Sequence, residues 1–289
     1  MSAQSKTIWT VVDIIRWGTE YFSSKGVDSP RLTIELLLSD MLNCSRLQLY
    51  LMYDRPLTEA ELSILRTTCS RRAKREPLQY ILGKSSFYGL EFELSPAVLI
   101  PRPETETLID IILKHCNGLP DPIRITDIGT GSGCIAITLA HHLRHRKDLS
   151  IIAQDISQDA LDIAQKNAQL HNVKVQFEQA DLFEYSEKIE GIIVSNPPYI
   201  STEDYSQLEP ELFFEPRVAL TDESDGLRYY KKIAQKIIDG NGEVSSFFLE
   251  IGYGQVKDVE NLFTSVTSNL QVIKDLSGIE RVLWGIVDL

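Results

Sequence analysis

The chain has 289 residues, of which 43% are hydrophobic, which is enough for about two domains with full apolar cores. Its formal net charge is −12. No segment approaches the length of apolar sequence that spans a membrane, and the first ten residues lack the basic and apolar regions of a secretory signal, so these properties exclude an integral membrane protein. We expect a cytoplasmic protein without membrane contact.

The cysteines are spread along the chain without close pairing. None of their spacings is that of a metal-binding motif, and a disulfide framework would need paired cysteines in a short secreted chain. We therefore expect neither a disulfide nor a metal site, and a reducing compartment fits best. The four residues are Cys44, Cys69, Cys116 and Cys134.

The charge is unevenly distributed along the sequence. Residues 1–90 contain 12 Lys and Arg against 9 Asp and Glu, whereas residues 91–289 contain 17 against 32. Because the second part is strongly acidic, it repels a phosphate backbone, and we expect no stable binding to nucleic acid. The mildly basic first part is better suited to face another macromolecule.

The first 76 residues predict a small helical domain. Apolar side chains recur at helical spacing over residues 7–24 and again over 31–43. A basic segment, residues 71–75, ends the domain and favours the C-terminus of a helix. Residues typical of helix N-caps precede the later helices: Ser29 before Pro30, Ser45, and Thr58 with Glu61 three positions on.

Residues 77–98 predict a β-hairpin that links two domains. Pro77 interrupts the helical pattern, and two short runs rich in aromatic and β-branched residues follow it. We expect these runs, 79–83 and 87–92, to form the two strands, joined by a polar turn.

Residues 99–289 alternate predicted strands with predicted helices, which is the pattern of an α/β domain with a mostly parallel sheet covered on both faces. A final antiparallel pair is expected at 270–274 and 281–287. The other predicted strands are 123–128, 150–153, 173–177, 191–195 and 246–251; the predicted helices are 135–143, 157–170, 226–238 and 256–263, with a long loop over 200–224.

A glycine-rich turn follows the first strand of this domain. Glycines in such a turn let the backbone approach a ligand closely and direct N–H groups at it. The spacing does not match a dinucleotide fingerprint, because Cys134 occupies the position of the last glycine, and the lysine of a phosphate-binding loop is missing. With Asp127 adding negative charge, a zwitterionic or cationic ligand is favoured. The turn consists of Gly129, Thr130, Gly131, Ser132 and Gly133.

Acidic residues follow the second and third strands of the predicted sheet. Asp155 ends the second strand and is placed to accept hydrogen bonds from two ribose hydroxyls. Asp181 follows the third strand and could accept a hydrogen bond from an adenine amino group, with Leu182 packed on the ring. Because carboxyl ends of parallel strands meet at one edge, these residues are expected to surround the glycine turn.

The tetrapeptide Asn196-Pro197-Pro198-Tyr199 follows the buried strand 191–195. Its prolines cannot continue a ladder, so the strand ends there and the tetrapeptide lies at the ligand-binding edge of the sheet. The Asn196 side-chain carbonyl and the Pro197 backbone carbonyl can both accept hydrogen bonds from one planar NH2 group, and Tyr199 offers a flat face for stacking. We therefore assign Asn196 to Tyr199 as candidate catalytic residues, and Asn196 also as a cofactor contact.

Taken together, these motifs resemble those of the class I S-adenosylmethionine-dependent methyltransferases that modify amino nitrogens. Three further stretches are similar to those of the HemK/PrmC family, which consists of N5-glutamine methyltransferases of class-1 peptide chain release factors. They are Ile100–Glu106, the segment Glu215–Leu220 with Asp225–Leu227, and Asp275–Arg281. The resemblance covers nearly the whole chain.

This resemblance implies a Rossmann-like methyltransferase domain over 99–289, preceded by a helical substrate-docking domain over 1–76 and the hairpin linker over 77–98. It implies S-adenosyl-L-methionine as cofactor, held by residues 129–133 and 155, and the glutamine of a Gly-Gly-Gln motif in a release factor as substrate, held by residues 196–199. The family often has Trp at the position of Leu182. We expect the protein to be a monomer.

Other functions are less compatible with the sequence. An adenine-N6 or other amino-group methyltransferase acting on nucleic acid would use the same tetrapeptide, but the loop 200–224 is acidic. A nicotinamide-dependent dehydrogenase does not fit the glycine spacing. A non-catalytic interaction protein would have no need for the cofactor and amide motifs.

Overall fold

The computed structural model describes residues 8–240 and 242–288, so the start of the predicted first domain lies outside the described residues. The chain forms two compact units, one of residues up to 83 together with 210–214, and one of residues 84–209 and from 215 onward. The boundary at Gly83 lies inside the segment predicted as a linker. The proposed domain limits at 76 and 98 stay predictions.

From residue 8 onward, the first unit contains five helices, and local capping sets the starts of three of them. These three starts are capping boxes, in which Thr10, Ser45 and Thr58 each exchange hydrogen bonds with the residue three positions on. This confirms the predicted box at Thr58. The helices are α1 (Val11–Ser24), α2 (Pro30–Met41), α3 (Arg46–Leu51), α4 (Glu59–Ala73) and α5 (Leu78–Leu82).

Ser29 occupies the predicted N-cap position, but its side chain does not cap the helix. It has a left-handed backbone with φ of 48°, and its side chain makes no capping hydrogen bond. As predicted, Pro30 is the first helical residue: its ring fixes φ near the helical value, and its missing N–H leaves one fewer donor unsatisfied.

The core of the first unit lies between α1 and α2. Val11, Phe22, Ile34 and Leu38 are fully buried there. Gly18 of α1 directly faces Ile34, and a Cβ atom at this position would overlap that side chain. A glycine inside a helix costs about 1 kcal/mol relative to alanine, but here it allows the two helices to approach closely.

The predicted strand over 79–83 is wrong, because this run forms the short helix α5. Pro77 precedes the helix, and Gly83, with φ of 73°, ends it in the left-handed conformation typical of a helix C-terminus. The hairpin itself follows as strands β1 (Lys84–Phe87) and β2 (Leu90–Glu93). Tyr88 and Gly89 both have positive φ, as a tight two-residue hairpin turn requires.

The second unit contains a seven-stranded sheet in the order β5-β4-β3-β6-β7-β9-β8. Among the described residues, the pairs β7–β9 and β9–β8 of this sheet are antiparallel, and its other strand pairs are parallel. This confirms the predicted mostly parallel sheet with an antiparallel hairpin at its C-terminal end. The strands are β3 (Ile123–Ile128), β4 (Leu149–Asp155), β5 (Gln176–Gln179), β6 (Gly191–Ser195), β7 (Val244–Glu250), β8 (Leu270–Lys274) and β9 (Glu280–Ile286).

Helices cover both faces of this sheet, because its central strands are runs of consecutive apolar residues whose side chains point alternately to the two faces. Ile192 and Val194 pack on one face, whereas Ile193 packs on the other. The long helices are α6 (Glu106–Asn117), α7 (Cys134–His142), α8 (Gln158–Leu170), α11 (Arg228–Asp239) and α12 (Val256–Phe263), and the predicted loop 200–224 contains α9 (Thr202–Tyr205), a 3-10 turn (Pro210–Phe214) and α10 (Arg217–Leu220). None of the helices in the described ranges has the length and apolarity to span a bilayer.

The topology creates a crevice beside the end of β3. From β3 the chain proceeds outward through β4 to β5 and then returns to place β6 on the other side of β3. Ligands bind to open α/β sheets at such a switch point, outside the carboxyl ends of the strands. The segments that follow β3, β4, β5 and β6 therefore meet at this edge.

Candidate active site

A cavity opens at the carboxyl edge of the sheet. Its empty volume, which includes space open to solvent, is about 820 Å³. Most of its walls are apolar. Among the predicted site residues, those that line it are Gly129, Asp155, Asp181, Leu182, Asn196, Pro197 and Pro198.

The glycine turn is held tightly against the neighbouring strand. The N–H groups of Gly129 and Thr130 donate to the Gln154 carbonyl at 2.8 and 2.9 Å. A Cβ atom on Gly129 would meet no atom within 4 Å, whereas one on Gly133 would lie 2.7 Å from the Cδ1 atom of Ile137. The first glycine thus leaves space for a ligand, and the last allows close packing of the turn on the helices.

The remaining residues of the turn form its support rather than the cavity wall. Thr130 donates its hydroxyl proton to Asp127 at 2.7 Å, and the Ser132 carbonyl accepts a hydrogen bond from Asn167 at 2.9 Å. Gly131, with φ of 56°, donates its N–H to Asp155 at 2.8 Å. Their cofactor role stays a prediction.

Asp127 places a buried carboxylate behind the glycine turn. One oxygen accepts hydrogen bonds from Thr130 and from the Ala136 N–H, but the other, Oδ1, has no hydrogen-bond partner in the described part of the chain. Burial raises the pKa of Asp127 to about 7, and the nearby Asp155 carboxylate adds to this effect. A cationic group would satisfy this oxygen, so the site fits a ligand with a positive charge.

The raised pKa predicts that Asp127 makes the folded protein less stable as the pH rises. The unfolded carboxyl ionises near pH 4, whereas the folded one keeps its proton to about pH 7, so the folded state binds more protons between these values. Asp127→Asn should therefore gain up to about 3 kcal/mol in unfolding free energy relative to the unsubstituted protein on going from pH 5 to pH 8. Urea unfolding without ligand at both pH values measures this, and an equal difference at the two would contradict it.

The two acids that follow β4 and β5 lie on the cavity wall. Asp155 accepts hydrogen bonds from the N–H groups of Gly131 and Ser157 at 2.8 and 2.9 Å, and burial raises its pKa. Asp181 accepts from the Phe183 N–H at 2.8 Å. Since a carboxylate has about four acceptor sites, each retains capacity for a ligand hydroxyl or amino group. Leu182 is buried beside them.

The four residues of the tetrapeptide after β6 have two different surroundings. Asn196, Pro197 and Pro198 line the cavity, but Tyr199 does not. The Tyr199 hydroxyl donates to Glu250 at 3.4 Å, and burial together with that carboxylate raises the tyrosine pKa. The predicted stacking role of Tyr199 stays a prediction.

Thr105 and Glu250 were not among the predicted site residues. The Asn196 amide NH2 donates to Thr105 Oγ1 at 3.3 Å, and the Thr105 hydroxyl donates to Glu250 at 2.6 Å. Glu250 ends β7 and is 1% exposed, and burial raises its pKa to about 7. The sequence offered two signals, namely the position of Glu250 near the end of a predicted strand and that of Thr105 in the stretch Ile100–Glu106.

Glu215 joins two of the stretches on which the resemblance was based. Its buried carboxylate accepts hydrogen bonds from the Ile100 N–H at 3.0 Å and from the Arg102 guanidinium. Leu99, next to the first stretch, and Val218, within the second, line the cavity. Glu215 therefore holds the first stretch against a segment that forms part of the cavity wall.

No three His, Cys, Asp or Glu side chains converge on a possible metal position within residues 8–240 and 242–288. The polar side chains that line the cavity are two carboxylates, two carboxamides and three hydroxyls, from Asp155, Asp181, Gln154, Asn196, Ser157, Ser195 and Tyr229. Such groups hold hydroxyl, amino and cationic groups.

Family models match two parts of the chain. The PrmC N-terminal domain matches residues 13–83, and the methyltransferase small domain matches residues 105–224. The second of these contains the glycine turn, both acids and the tetrapeptide.

Solved structures support the fold alone. The hMettl16 catalytic domain in complex with MAT2A 3'UTR hairpin 6 is 16% identical, with a TM-score of 0.57, and the match covers 75% of this chain and 81% of that chain. A methyltransferase from Pyrococcus furiosus is 16% identical, with a TM-score of 0.50, over 76% of this chain and 99% of that chain.

Relatives of known family match nearly the full length. A release factor glutamine methyltransferase from Geobacter sulfurreducens is 40% identical over 281 residues, which cover 96% of this chain and 97% of that protein. One from Chlorobaculum tepidum is 38% identical over 288 residues, with the same coverage of both chains. These matches confirm the resemblance seen in the motifs, and the chain belongs to the release factor glutamine methyltransferase family.

Proposed function

We propose that this protein transfers a methyl group from S-adenosyl-L-methionine to the side-chain amide nitrogen of a glutamine in the Gly-Gly-Gln motif of a class-1 peptide chain release factor. One observation carries the proposal: the carboxamide of Asn196 lines the same cavity as Gly129 and Asp155. Membership of the family supports the choice of substrate. We also propose that the reaction takes place in the cytoplasm and that the enzyme is a monomer.

The cofactor would lie along the glycine turn. When bound, S-adenosyl-L-methionine supplies a methyl group activated by a positively charged sulfur. Asp155 would accept hydrogen bonds from the ribose hydroxyls, Asp181 from the adenine amino group, and Leu182 would pack on the ring. The unpartnered oxygen of Asp127 would face the positive charge of the amino-acid part.

The substrate glutamine would be held by two carbonyl oxygens. The Asn196 side-chain oxygen and the Pro197 backbone carbonyl would each accept a hydrogen bond from one N–H of the substrate amide. These two hydrogen bonds would fix the nitrogen and favour its partial pyramidalisation. An amide nitrogen is a weak nucleophile, because its lone pair is delocalised into the carbonyl group. Alignment in a buried site can supply roughly 7 to 11 kcal/mol of the barrier, and we expect positioning to dominate the catalysis.

The proton of the methylated nitrogen has to leave after the transfer. The titratable side chains that line the cavity within the described residues are Asp155, Asp181 and Tyr229. The two aspartates are assigned to the cofactor, and burial raises the pKa of Tyr229, so none of the three is a suitable general base. We infer that the proton leaves to solvent.

We further propose that the helical unit docks the release factor. Helix α3 presents two large apolar side chains to solvent, since Leu47 is 74% and Leu51 is 82% exposed. Replacing both by serine should raise the KM for an intact release factor about tenfold, because buried apolar contacts supply much of the energy at interfaces. The KM for a short Gly-Gly-Gln peptide should not change. Leu170→Ser, at a leucine of α8 that is 54% exposed, is the matched control.

The docking proposal would be contradicted if the double variant raised the KM for the peptide as much as that for the release factor. The same holds if Leu170→Ser gave an equal effect. Both parameters come from steady-state methylation with labelled cofactor.

The reaction itself is tested by mass spectrometry. A release factor incubated with the enzyme and methyl-labelled S-adenosyl-L-methionine should gain one labelled methyl group on the Gly-Gly-Gln glutamine. A release factor in which this glutamine is replaced should gain none. Absence of label from the unsubstituted release factor, or label at another residue, would contradict the proposal.

The alternative substrate, an amino group in nucleic acid, has no specific support. The match to the hMettl16 catalytic domain is 16% identical and concerns the fold only. The loop 200–224 is acidic, which is unfavourable for binding a phosphate backbone.

A further inference from the structure

A buried polar network lies behind the tetrapeptide. Glu250 accepts a hydrogen bond from the Thr105 hydroxyl through Oε2 and one from the Tyr199 hydroxyl through Oε1. Thr105 Oγ1 in turn accepts from the Asn196 NH2 group at 3.3 Å. Thr105 is 2% exposed and Glu250 is 1% exposed, so water has little access to the network. Glu250 therefore connects to both ends of the tetrapeptide.

The donors and acceptors of this network determine the orientation of the Asn196 amide. A threonine hydroxyl has one proton, and the carboxylate of Glu250 has none once it is ionised, which is its state above its raised pKa of about 7. Because Thr105 donates its proton to Glu250 at 2.6 Å, its oxygen can only accept from Asn196. The NH2 group of Asn196 must then face Thr105, since the opposite orientation would bring two acceptors together. Asn196 Oδ1, which makes no hydrogen bond within the described residues, is left for a ligand.

Glu250 is an unusual residue for a buried position without a salt bridge to a described residue. A buried carboxylate is costly unless charge or hydrogen bonds compensate it. Glu250 forms no salt bridge with another described residue, and Arg281, which lies near it, bonds Asp275 instead. Thr105 and Glu250 are 145 residues apart in sequence, so their contact is a product of the tertiary fold.

We propose that Thr105 and Glu250 are positioning residues. They fix the Asn196 amide so that its carbonyl oxygen accepts a hydrogen bond from the NH2 group of the substrate. The inference rests on the proposed function, since it assigns Asn196 Oδ1 to the glutamine amide. Thr105 and Glu250 themselves do not contact the substrate. Without them the amide can rotate and present NH2, a donor, to the NH2 group of the substrate.

The first test removes the hydroxyl of Thr105 and keeps its shape. Thr105→Val should lower kcat about tenfold, while the KM for the release factor and the Kd for S-adenosyl-L-methionine change less than threefold. Thr105→Ser retains the hydroxyl and should keep kcat within threefold of the unsubstituted enzyme. Thr138→Val is the matched control, because Thr138 in α7 is fully buried and its hydroxyl has no partner among the described residues. It should leave kcat unchanged.

The second test asks whether the two residues act as one unit. Glu250→Gln keeps the size of the side chain but adds an NH2 donor, so Thr105 can accept from it and donate to Asn196, which reverses the amide. The kcat should again fall about tenfold, and the double variant Thr105→Val/Glu250→Gln should be no slower than the slower single variant, since coupled residues are not additive. If Glu250→Gln does not fold, the two Thr105 variants decide the matter.

Three results would overturn the inference. They are an unchanged kcat in Thr105→Val, an equal loss in Thr105→Ser and Thr105→Val, and losses that multiply in the double variant. Failure of the proposed function is a separate outcome, because the unsubstituted enzyme would then not methylate the Gly-Gly-Gln glutamine at all.

Discussion

Asn196→Ala should lower kcat for methylation of a release factor by about 100- to 1,000-fold. The variant loses the side-chain carbonyl that would hold the substrate amide, and the removal of one preorganised polar group from an active site typically costs this much. Because Asn196 is one of many residues that line the cavity, the Kd for S-adenosyl-L-methionine should rise much less, by about fivefold or below. Single-turnover kinetics with saturating cofactor measures the first effect, and calorimetric titration measures the second.

The matched control for this variant is Asn261→Ala. Asn261 lies on the exposed side of α12, and the same change of side chain there should leave kcat unaltered. Near-normal turnover of Asn196→Ala would remove the catalytic role of Asn196. A loss of cofactor affinity as large as the loss in kcat would instead assign Asn196 to cofactor binding alone.

Asp155→Ala should weaken the binding of S-adenosyl-L-methionine about 100-fold. The carboxylate would accept hydrogen bonds from both ribose hydroxyls, and hydrogen bonds to charged groups contribute about 1.5 to 3 kcal/mol each. It also holds the Gly131 N–H, so its removal loosens the glycine turn. A 100-fold loss corresponds to about 2.8 kcal/mol. Calorimetric titration of the variant with the cofactor measures it directly.

Asp159→Asn is the control for charge, because Asp159 lies in the first turn of the neighbouring helix α8 and is exposed. It should change the cofactor Kd less than twofold. If Asp155→Ala bound the cofactor as well as the unsubstituted protein, the ribose would have to lie elsewhere in the cavity. Equal weakening by the two variants would indicate a general effect of charge.

The sequence pointed to several residues that line the cavity, because the relevant signals are local. Two prolines or a glycine turn after an apolar run indicate where a strand ends. Parallel strands then bring those ends to one edge, which is why Gly129, Asp155, Asp181 and Asn196 all line one cavity. Their individual roles toward the ligands stay predictions.

Short apolar runs do not show by themselves whether they form a helix or a strand. The segment 78–82 has a composition that suits a strand, yet it forms α5. A run of five residues shows no period that separates helix from strand, so its flanking residues decide. Pro77 and Gly83 are a typical start and end for a helix.

What the sequence determined by itself was the order of the strands in the second unit, the sheet edge at which ligands are expected, and the residues that follow each strand there. Tertiary structure alone decided the hydrogen-bond partners: Thr105 and Tyr199 both donate to Glu250, and one oxygen of Asp127 has no partner among the described residues. The physical reason is that periodicity and turn residues act over a few positions, whereas burial and hydrogen bonding join groups far apart in the chain.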